Sequence, residues 1–266
     1  MKKINKFKNE EVLWLIENYE QFGPQGSAEF LDRTLSSVKY KANALKLKFR
    51  KCFNYGTGFN LDLNESKFLY FLGLLWADGF VTDRQVELTI AKEDFDTIAK
   101  DIYSLGKFRQ YEQARDDRKP TTSIISRNKA LVSFLVENDF KTKSFSEPTK
   151  ILKKINNGLH IHFWRGFFDG DGCCYRQKTF TRVEFSGQYE YGWVELTKFL
   201  SKLNIKQKIR KSYSSYGKNS RMTVWRQKDI RLLADVFYGG VDVTFVPRKS
   251  ISNIFQDNDG GNPDTI

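Results

Sequence analysis

The sequence is short of the residues that build disulfide frameworks and metal clusters. Its 266 residues include three cysteines, of which Cys173 and Cys174 are adjacent, and two histidines. This composition argues against the disulfide scaffold of a small secreted domain and against a structural zinc site. The chain also lacks an apolar run near the ~18 residues that span a membrane, and no apolar segment follows its basic N-terminus. We therefore expect a cytoplasmic protein without a membrane partner.

Acidic residues are fewer than basic ones. The chain has 44 lysines and arginines against 32 aspartates and glutamates, which gives a formal net charge of +12. Such a surplus favours a polyanionic partner, and nucleic acid is the usual one. Aromatic residues are plentiful, with 23 phenylalanines and 12 tyrosines, so the chain can bury a large core.

Residues 1–51 have the pattern of a small three-helix module. Acidic residues follow Asn9 at the start of one apolar pattern, Gly23-Pro24 interrupts that pattern, and a second short helix fits Ser27–Asp32. A third helix begins at Ser36 or Ser37, either of which can cap it. The predicted core of the module consists of Trp14, Ile16, Phe30, Leu31, Val38, Ala42 and Leu45.

The third helix has a polar and basic exposed face, formed by Lys39, Lys41, Asn43 and Lys46. Three short helices with a basic third one resemble a helix-turn-helix module of the Myb-like kind, in which that helix enters the major groove. Lysine and asparagine side chains can contact base edges and phosphates there. The alternative is a plain three-helix bundle with a solvated lysine face. Residues 52–63 are predicted to be a linker.

One motif occurs twice in the rest of the chain. Residues 71–79 are Phe-Leu-Gly-Leu-Leu-Trp-Ala-Asp-Gly, and residues 164–172 are Trp-Arg-Gly-Phe-Phe-Asp-Gly-Asp-Gly. The flanking segments repeat as well, because the order of helices and strands predicted for residues 64–154 recurs over residues 155–255. We therefore predict two halves related by pseudo-twofold symmetry, followed by a disordered tail over residues 256–266.

The doubled motif brings two carboxylates together. Small residues one helical turn apart, Gly73 and Ala77 in one motif and Gly166 and Gly170 in the other, allow two helix backbones to approach closely. Asp78 and Asp171 then meet at the negative ends of both helices, where they repel each other. A divalent cation relieves that repulsion, and Mg²⁺ prefers oxygen ligands. The repeat therefore predicts a magnesium site.

The two motifs resemble the signature helices of single-chain, monomeric LAGLIDADG homing endonucleases, over residues 64–255. The resemblance implies an α+β fold in which two pseudo-symmetric αββαββα halves form a DNA-binding saddle. It implies hydrolysis of phosphodiesters on both strands of a long, asymmetric duplex, with Mg²⁺ as cofactor and short 3′ overhangs. It also implies a monomer without an obligate protein partner, encoded by an intron, an intein or a free-standing gene. Some phage and mobile-element endonucleases carry helix-turn-helix appendages that resemble the N-terminal module.

The resemblance places a metal site at the motif ends. Asp78 and Asp171 would be the metal-binding carboxylates and would share two or three divalent ions. The backbone carbonyls of Ala77 and Gly170 would also face the metals.

The resemblance also implies roles for residues outside the motifs. Lys92 and Gln188, at the end of the strand after each motif, would order the nucleophilic water. Lys143 and Lys249, near the end of each half, would lie close to the scissile phosphates. The adjacent alternatives for these two basic positions are Lys141 and Arg248.

Two motif positions depart from the expected pattern. The sixth motif position is often acidic in the family, as it is at Asp169, whereas the first motif has Trp76 there. This residue is generally not a metal ligand, so the difference predicts asymmetric packing with activity retained. Arg165 interrupts the apolar run of the second motif, and we expect it at a helix edge on the surface.

In this family the strands of each half lie in the major groove, where arginine suits guanine and glutamine suits adenine. The candidate DNA-binding residues of the first half are Arg84, Gln85, Arg109, Tyr111, Gln113 and Arg115. Those of the second half are Arg176, Lys178, Arg182, Lys208, Arg210 and Arg221.

Two other functions remain open from the sequence. One is a non-catalytic DNA-binding regulator with the same fold, and the other is an RNA-binding maturase that assists intron splicing. The pair Asp78 and Asp171, together with Lys92, favours the nuclease, because a protein that only binds DNA has no need of two carboxylates beside the phosphates.

Overall fold

The fold is described from a computed structural model. It covers residues 7–47, 58–115, 118–177, 180–188, 191–214, 217–240 and 244–256. Residues 52–57 of the predicted linker, residues 257–266 of the predicted tail and Lys178 therefore lie outside the described residues. The chain divides into two compact units, Met1–Asn54 and Tyr55–Ile266.

The first unit has two helical runs in its described part, α1 (Asn9–Phe30) and α2 (Leu35–Ala44). We predicted that Gly23-Pro24 would divide this segment into two helices. The helical run instead continues through Pro24. The rings of Trp14 and Phe30 nevertheless stack with centroids 4.2 Å apart. Sixteen residues of straight helix would separate them by about 24 Å. The run is therefore not straight, and Pro24, which cannot donate a backbone hydrogen bond, lies within it.

The core of this unit differs from the predicted one. It consists of Leu15, Tyr19, Ala28, Val38 and Ala42. The prediction that Ile16 and Phe30 are core residues is wrong, because Ile16 is 51% exposed and Phe30 is 63% exposed. Consecutive residues of a helix point in different directions. Leu15 therefore faces the core, where the sequence pattern predicted Ile16.

The second unit contains two copies of one arrangement. The first copy comprises α3 (Ser66–Asp78), β1 (Gly79–Val81), β2 (Val86–Ala91), α4 (Lys92–Leu105), β3 (Arg109–Arg115), β4 (Arg118–Ser126) and α5 (Lys129–Glu137). A 3-10 turn (Phe140–Phe145) and the short α6 (Thr149–Leu152) connect it to the second copy.

The second copy repeats this order. It comprises α7 (His160–Asp171), β5 (Gly172–Gln177), β6 (Phe180–Gln188), α8 (Val194–Lys202), β7 (Lys208–Ser214), β8 (Gly217–Val224) and α9 (Gln227–Tyr238). A 3-10 turn (Pro247–Lys249) and α10 (Asn253–Gln256) follow. Both sheets are antiparallel, with strand orders β1-β2-β4-β3 and β5-β6-β8-β7. The predicted α+β class with two αββαββα halves is confirmed.

The motif helices α3 and α7 pack backbone to backbone. A Cβ atom on Gly73 would overlap the carbonyl oxygen of Phe163, and one on Gly166 would overlap the carbonyl oxygen of Tyr70. These contacts are reciprocal, because the same two motif positions meet in each case with the halves exchanged. The chain therefore has the predicted pseudo-twofold axis between the two helices.

Burial explains why the motif helices are so apolar. Every residue of α3 from Phe68 to Trp76 is buried, because α7 covers one side and the strands and helices of the first half cover the rest. A helix enclosed on all sides can be apolar all round. Among the described helices none is both long enough and apolar enough to cross a membrane.

Candidate active site and nucleic-acid interface

The last residues of α3 and α7 are the two predicted metal ligands, Asp78 and Asp171. A Cβ atom on Gly170 would lie 3.0 Å from Oδ2 of Asp78, so this carboxylate lies against the motif helix of the other half. Asp78 reaches the surface, and Asp171 is half-buried. The close approach of the two glycine-bearing helices is what brings the carboxylates to one place.

Burial and mutual repulsion disfavour the charged forms of both carboxylates. The pKa of Asp171 is raised to about 6, first by burial and then by the negative charge of Asp78. Burial also raises the pKa of Asp78, since its surroundings exclude much of its hydration although one edge meets solvent. The ammonium groups of Lys143 and Lys249 oppose both shifts. A further cation placed between the carboxylates would stabilise their charged forms.

Lys143 and Lys249 lie at the C-terminal ends of the motif helices. Nζ of Lys143 donates to the backbone carbonyls of Trp76, at 2.8 Å, and Ala77. Nζ of Lys249 donates to those of Gly170, at 3.2 Å, and Gly172, at 2.9 Å. Each lysine thus compensates the negative end of its own motif helix. Burial lowers the pKa of Lys143 to about 8, against the raising effect of Asp171 and Asp78.

Each carboxylate lines its own cleft, and each cleft combines residues of both halves. The first cleft has a volume of about 230 Å³, and its lining includes Asp171, Lys143 and Gln188. The second has a volume of about 220 Å³, and its lining includes Asp78 and Lys249. In both clefts a carboxylate and a strand from one half face a lysine and a helix end from the other. The structure therefore brings together all of the predicted catalytic residues except Lys92.

Lys92 lies outside the second cleft. Its Nζ is 2.9 Å from Glu112 Oε1 and 3.3 Å from Asp96 Oδ2, on the exposed side of α4. The strand registers explain the difference, because Gly79 pairs with Leu88 whereas Gly172 pairs with Phe185. Counting from these pairs, the counterpart of Gln188 is Ala91, which does line the second cleft.

The sixth motif positions have different surroundings, as predicted. Asp169 is buried and accepts hydrogen bonds from Tyr70 (2.7 Å), Tyr238 (3.0 Å) and the backbone N–H of Val246 (2.7 Å). Burial raises its pKa to about 6, although these donors oppose the shift. Trp76 instead donates from its indole nitrogen to Tyr191 at 2.7 Å. Asp169 is thus occupied by structural bonds.

The predicted surface position of Arg165 is wrong, since this residue is 1% exposed. Its guanidinium donates to the backbone carbonyl of Phe237 at 2.9 Å and lies 3.0 Å from Nδ1 of His162. The centre of its guanidinium is 5.7 Å from the Tyr70 ring. A buried arginine is acceptable here because Asp169 is near enough to act on it electrostatically.

The donor set at Asp78 and Asp171 suits a hard divalent cation. It consists of oxygen atoms, from the two carboxylates and from the carbonyls of Ala77 and Gly170, which in this structure accept hydrogen bonds from Lys143 and Lys249. No group of three or more His, Cys, Asp or Glu side chains in the described part of the chain is placed to hold a metal. Water and phosphate oxygens would therefore complete the coordination shell, as Mg²⁺ commonly requires.

Most of the predicted strand residues share the face of their sheet that points away from the core. Strand registers place them there, because they alternate with the core residues Leu88, Ile124, Phe185 and Met222. The residues placed on these outer faces are Arg109, Tyr111, Gln113, Arg182, Lys208, Arg210 and Arg221. Arg115 ends β3.

Arg84, Gln85 and Arg176 are predicted DNA-binding residues that do not lie on these outer faces. Arg84 is exposed in the turn between β1 and β2. Gln85, next to it, accepts a hydrogen bond from Arg127 at 3.2 Å. Arg176 falls on the same face of β5 as Cys174, which packs against the core. The register thus separates Arg176 from the row of outward residues.

Residues 159–237 match the family model of a LAGLIDADG-like domain. The match runs from the turn before α7 to α9, which is the second half. No curated protein matches the chain. The predicted resemblance is therefore confirmed at the level of this LAGLIDADG-like domain.

Solved structures extend the likeness to both halves. The crystal structure of I-DmoI in complex with DNA and calcium is 14% identical, with a TM-score of 0.51, and the alignment covers 71% of this chain and 97% of that one. A structure of mesophilic variants of the homing endonuclease I-DmoI gives 13% identity, a TM-score of 0.51 and the same coverage. The N-terminal LAGLIDADG domain of DUF199/WhiA is 16% identical, with a TM-score of 0.47, over 76% of this chain and 98% of that one. At these identities the likeness to I-DmoI establishes a shared fold.

Three features of the two units were not predicted from the sequence. Arg248 forms an ion pair with buried Asp94 beside the second cleft, from the other half of the molecule. Glu184 is buried among arginines on the outer face of the second sheet. Tyr40 is 80% exposed on α2. Alternation along β6 places Glu184 on the outer face, but its burial among arginines and the Arg248–Asp94 pair depend on contacts between distant segments.

The predicted DNA-binding residues of the N-terminal unit lie on or directly after α2. Lys39 and Asn43 are exposed one turn apart on α2, and Lys46, two residues after the helix ends, is exposed as well. Lys41 is half-buried instead, with its Nζ 5.9 Å from the centre of the Phe7 ring. The exposed residues of α2 and of the segment directly after it therefore include Tyr40 and three of the four predicted residues.

Proposed function

We propose that the protein is a site-specific DNA endonuclease that hydrolyses one phosphodiester on each strand of a long, asymmetric duplex. One observation carries the proposal: two carboxylates and two lysines meet in reciprocal positions at the ends of α3 and α7. A duplex has two backbones related by a twofold axis, and two such clefts can address one strand each. The shared fold with I-DmoI supports this reading.

The carboxylates hold the cofactor in this proposal. Asp78 and Asp171 would bind two or three Mg²⁺ ions with the carbonyls of Ala77 and Gly170. The bound ions supply a more acidic water and stabilise charge on the attacking and leaving oxygens. Because the I-DmoI structure was solved with calcium, a divalent ion is consistent with this fold.

The lysines and the glutamine would act on the phosphate and on water. Lys143 and Lys249 are positioned to attract the scissile phosphates into the clefts, since each ammonium group faces the carboxylate of the other half. Gln188 can orient a water molecule in the first cleft by donating or accepting a hydrogen bond. In the second cleft the corresponding backbone position is Ala91, so water there would depend on neighbouring groups.

The N-terminal unit would add a second contact with the same duplex. The exposed residues of α2 and of the segment directly after it, Lys39, Tyr40, Asn43 and Lys46, support a helix-turn-helix mode of binding. We propose that the protein acts as a monomer, because the two clefts already supply both halves of the site. The target would be long, since it spans two sheets and this helix.

A selection experiment tests the nuclease. Purified protein is incubated with a library of random duplexes and Mg²⁺, and the ends of cut molecules are sequenced. We expect ends that converge on one site with short 3′ overhangs. If the library is bound and never cut, the protein is a DNA-binding regulator and the nuclease proposal fails.

Substitutions at the motif ends test the site itself. Asp78→Asn and Asp171→Asn should each reduce cleavage about 100-fold or more, because each removes a negative charge from the metal site. Binding to the selected duplex in EDTA should stay within about threefold of wild type. Asp235→Asn, an exposed change on α9, is the matched control and should cut normally. Cleavage that survives both motif changes would show the active site to be elsewhere.

A further inference from the structure

The outer face of the second sheet carries a row of basic side chains around one buried carboxylate. Register pairs Arg221 on β8 with Arg210 on β7 and with Ser186 on β6, and Arg182 lies four residues before Ser186 on the same face of β6. Glu184, two residues after Arg182, faces the same side and is 4% exposed. A carboxylate in such a position is unusual, because ionised groups are seldom this buried unless they are paired.

Glu184 contacts both neighbouring arginines. Its Oε1 lies 3.1 Å from Nε of Arg182, and its Oε2 lies 3.5 Å from Nη1 of Arg221. Thr223 donates to Oε1 from its hydroxyl group at 3.4 Å. Each oxygen of the carboxylate therefore contacts a different arginine.

The arginines keep their outer groups available. The side chains of Arg182 and Arg221 are 30% and 41% exposed. A guanidinium has five N–H groups, so one contact with Glu184 leaves the others for a ligand. The guanidinium of Arg182 also lies 4.6 Å from the centre of the Tyr175 ring, which restricts its orientation further. Glu184 thus restrains both guanidinium groups before any ligand binds.

Among the residues that the structure describes, the first sheet shows no such cluster at the corresponding position. Counting from the paired strands, the counterpart of Glu184 is Glu87, which pairs with Phe80 and Ile125. The outer face there carries Arg109 over the Tyr111 ring, with centres 4.5 Å apart. The two halves therefore present different surfaces to the two ends of a duplex.

We propose that Glu184 is a positioning residue that orients Arg182 and Arg221 to bind two guanines in the half-site under the second sheet. The inference rests on the proposed DNA binding and adds the base preference of one half-site. Arginine recognises guanine through a bidentate contact with O6 and N7 in the major groove, which requires a fixed fork. A carboxylate held at the base of two forks supplies that rigidity.

The test is a comparison of Glu184→Gln with Glu87→Gln in EDTA, where binding is measured without cleavage. Duplexes selected by the wild-type protein from a random library should contain guanines at two positions that Arg182→Lys and Arg221→Lys each relax. Replacing either guanine by 7-deazaguanine, which lacks N7, should weaken wild-type binding about tenfold. Glu184→Gln should lose most of this discrimination, and Glu87→Gln should keep it.

Non-specific binding separates positioning from a change of charge. Removing a carboxylate beside DNA should strengthen binding to random duplex at low salt, because less repulsion remains. We therefore expect Glu184→Gln to bind the selected duplex more weakly and random duplex at least as well. If Glu184→Gln unfolds, the two lysine variants retain the charges and carry the test.

Two results would overturn the inference. One is a selected site without guanine at positions sensitive to Arg182→Lys and Arg221→Lys, and the other is unchanged discrimination in Glu184→Gln. A protein that selects no duplex at all would instead overturn the proposed DNA binding from which the inference starts.

Discussion

At the scale of single residues, each ionisable group near α7 is held by a few specific neighbours. His162 is an example outside the clefts. Its Nδ1 lies 3.0 Å from the buried guanidinium of Arg165, and burial lowers the pKa of His162 to about 4, with a smaller contribution from that positive charge. The ring is therefore neutral in the folded protein at a pH where an unfolded chain would protonate it.

This gives a prediction for stability against pH. The folded pKa lies below the ordinary value, so His162 contributes stability above pH ~6.5 and loses it as the pH falls toward 4. Because the ring is half-exposed, solvent screening limits the loss to about 1 kcal/mol. Urea unfolding at several pH values should show a smaller loss for His162→Gln than for wild type over this range. Parallel curves for the two proteins would contradict the prediction.

The candidate site shows which residues can be predicted from sequence. Asp78 and Asp171 were predictable because the motif and its flanks repeat, and repeats fix corresponding positions. Lys143 and Lys249 came from the resemblance to the family, which left Lys141 and Arg248 as adjacent alternatives. The position of Lys92 was not predictable, because alternation along a strand cannot reveal a register shift of one residue, and the pairing of Gly79 with Leu88 puts Ala91 at the cleft. Arg165 was misplaced because its partners come from α9 and the start of α7.

At the scale of elements, the α3–α7 contact determines the distance between the two clefts. A methyl group at Gly166 would overlap the carbonyl oxygen of Tyr70, so the helices must separate to accept alanine. We expect Gly166→Ala to lower the free energy of unfolding by about 2 kcal/mol. Gly158→Ala is the control, because its new Cβ would meet one atom, Oδ1 of Asn156, at 3.6 Å. Equal urea midpoints for the two variants would mean that the helices pack less closely.

The strands after the motifs make the two clefts unequal. Gln188 lines the first cleft, whereas Ala91 lines the second beside the Asp94–Arg248 ion pair. We therefore expect the DNA strand in the first cleft to be cut faster, so that supercoiled plasmid bearing the selected site passes through a nicked form. Gln188→Ala should slow cutting of that strand about tenfold or more. Ala91→Gln should speed cutting of the other strand or leave it unchanged.

End-labelled duplexes measure the two strands separately. The control is Gln207→Ala, a glutamine between α8 and β7 that is absent from the lining of both clefts, and it should cut like wild type. Equal rates for both strands in the wild-type protein would contradict the expected asymmetry.

At the scale of the whole molecule, the backbone arrangement is repeated in the two halves, whereas the side chains on the outer faces of the sheets are not. The order of elements along the chain is the same in both halves, as predicted from the duplicated pattern, and the strand order within the two sheets is the same as well. The outer faces have diverged, with the Glu184 cluster on one sheet and the Arg109–Tyr111 pair on the other. Alternation along a strand predicts which residues face outward. Which of these residues contact each other depends on the register between the strands. A pseudo-symmetric protein can therefore favour an asymmetric target.

The N-terminal unit gives the last prediction. Lys39 on α2 and Lys46 directly after it are both exposed, so Lys39→Gln with Lys46→Asn should remove about two phosphate contacts. Asparagine is chosen at Lys46 because this residue has a φ of 56°. The slope of log affinity against log salt should then decrease by about 2, while the cut position stays the same. Lys100→Gln with Lys202→Gln removes the same charge from α4 and α8, and this control should leave the slope near wild type. An unchanged slope in the α2 variant would mean that this helix does not contact the DNA backbone.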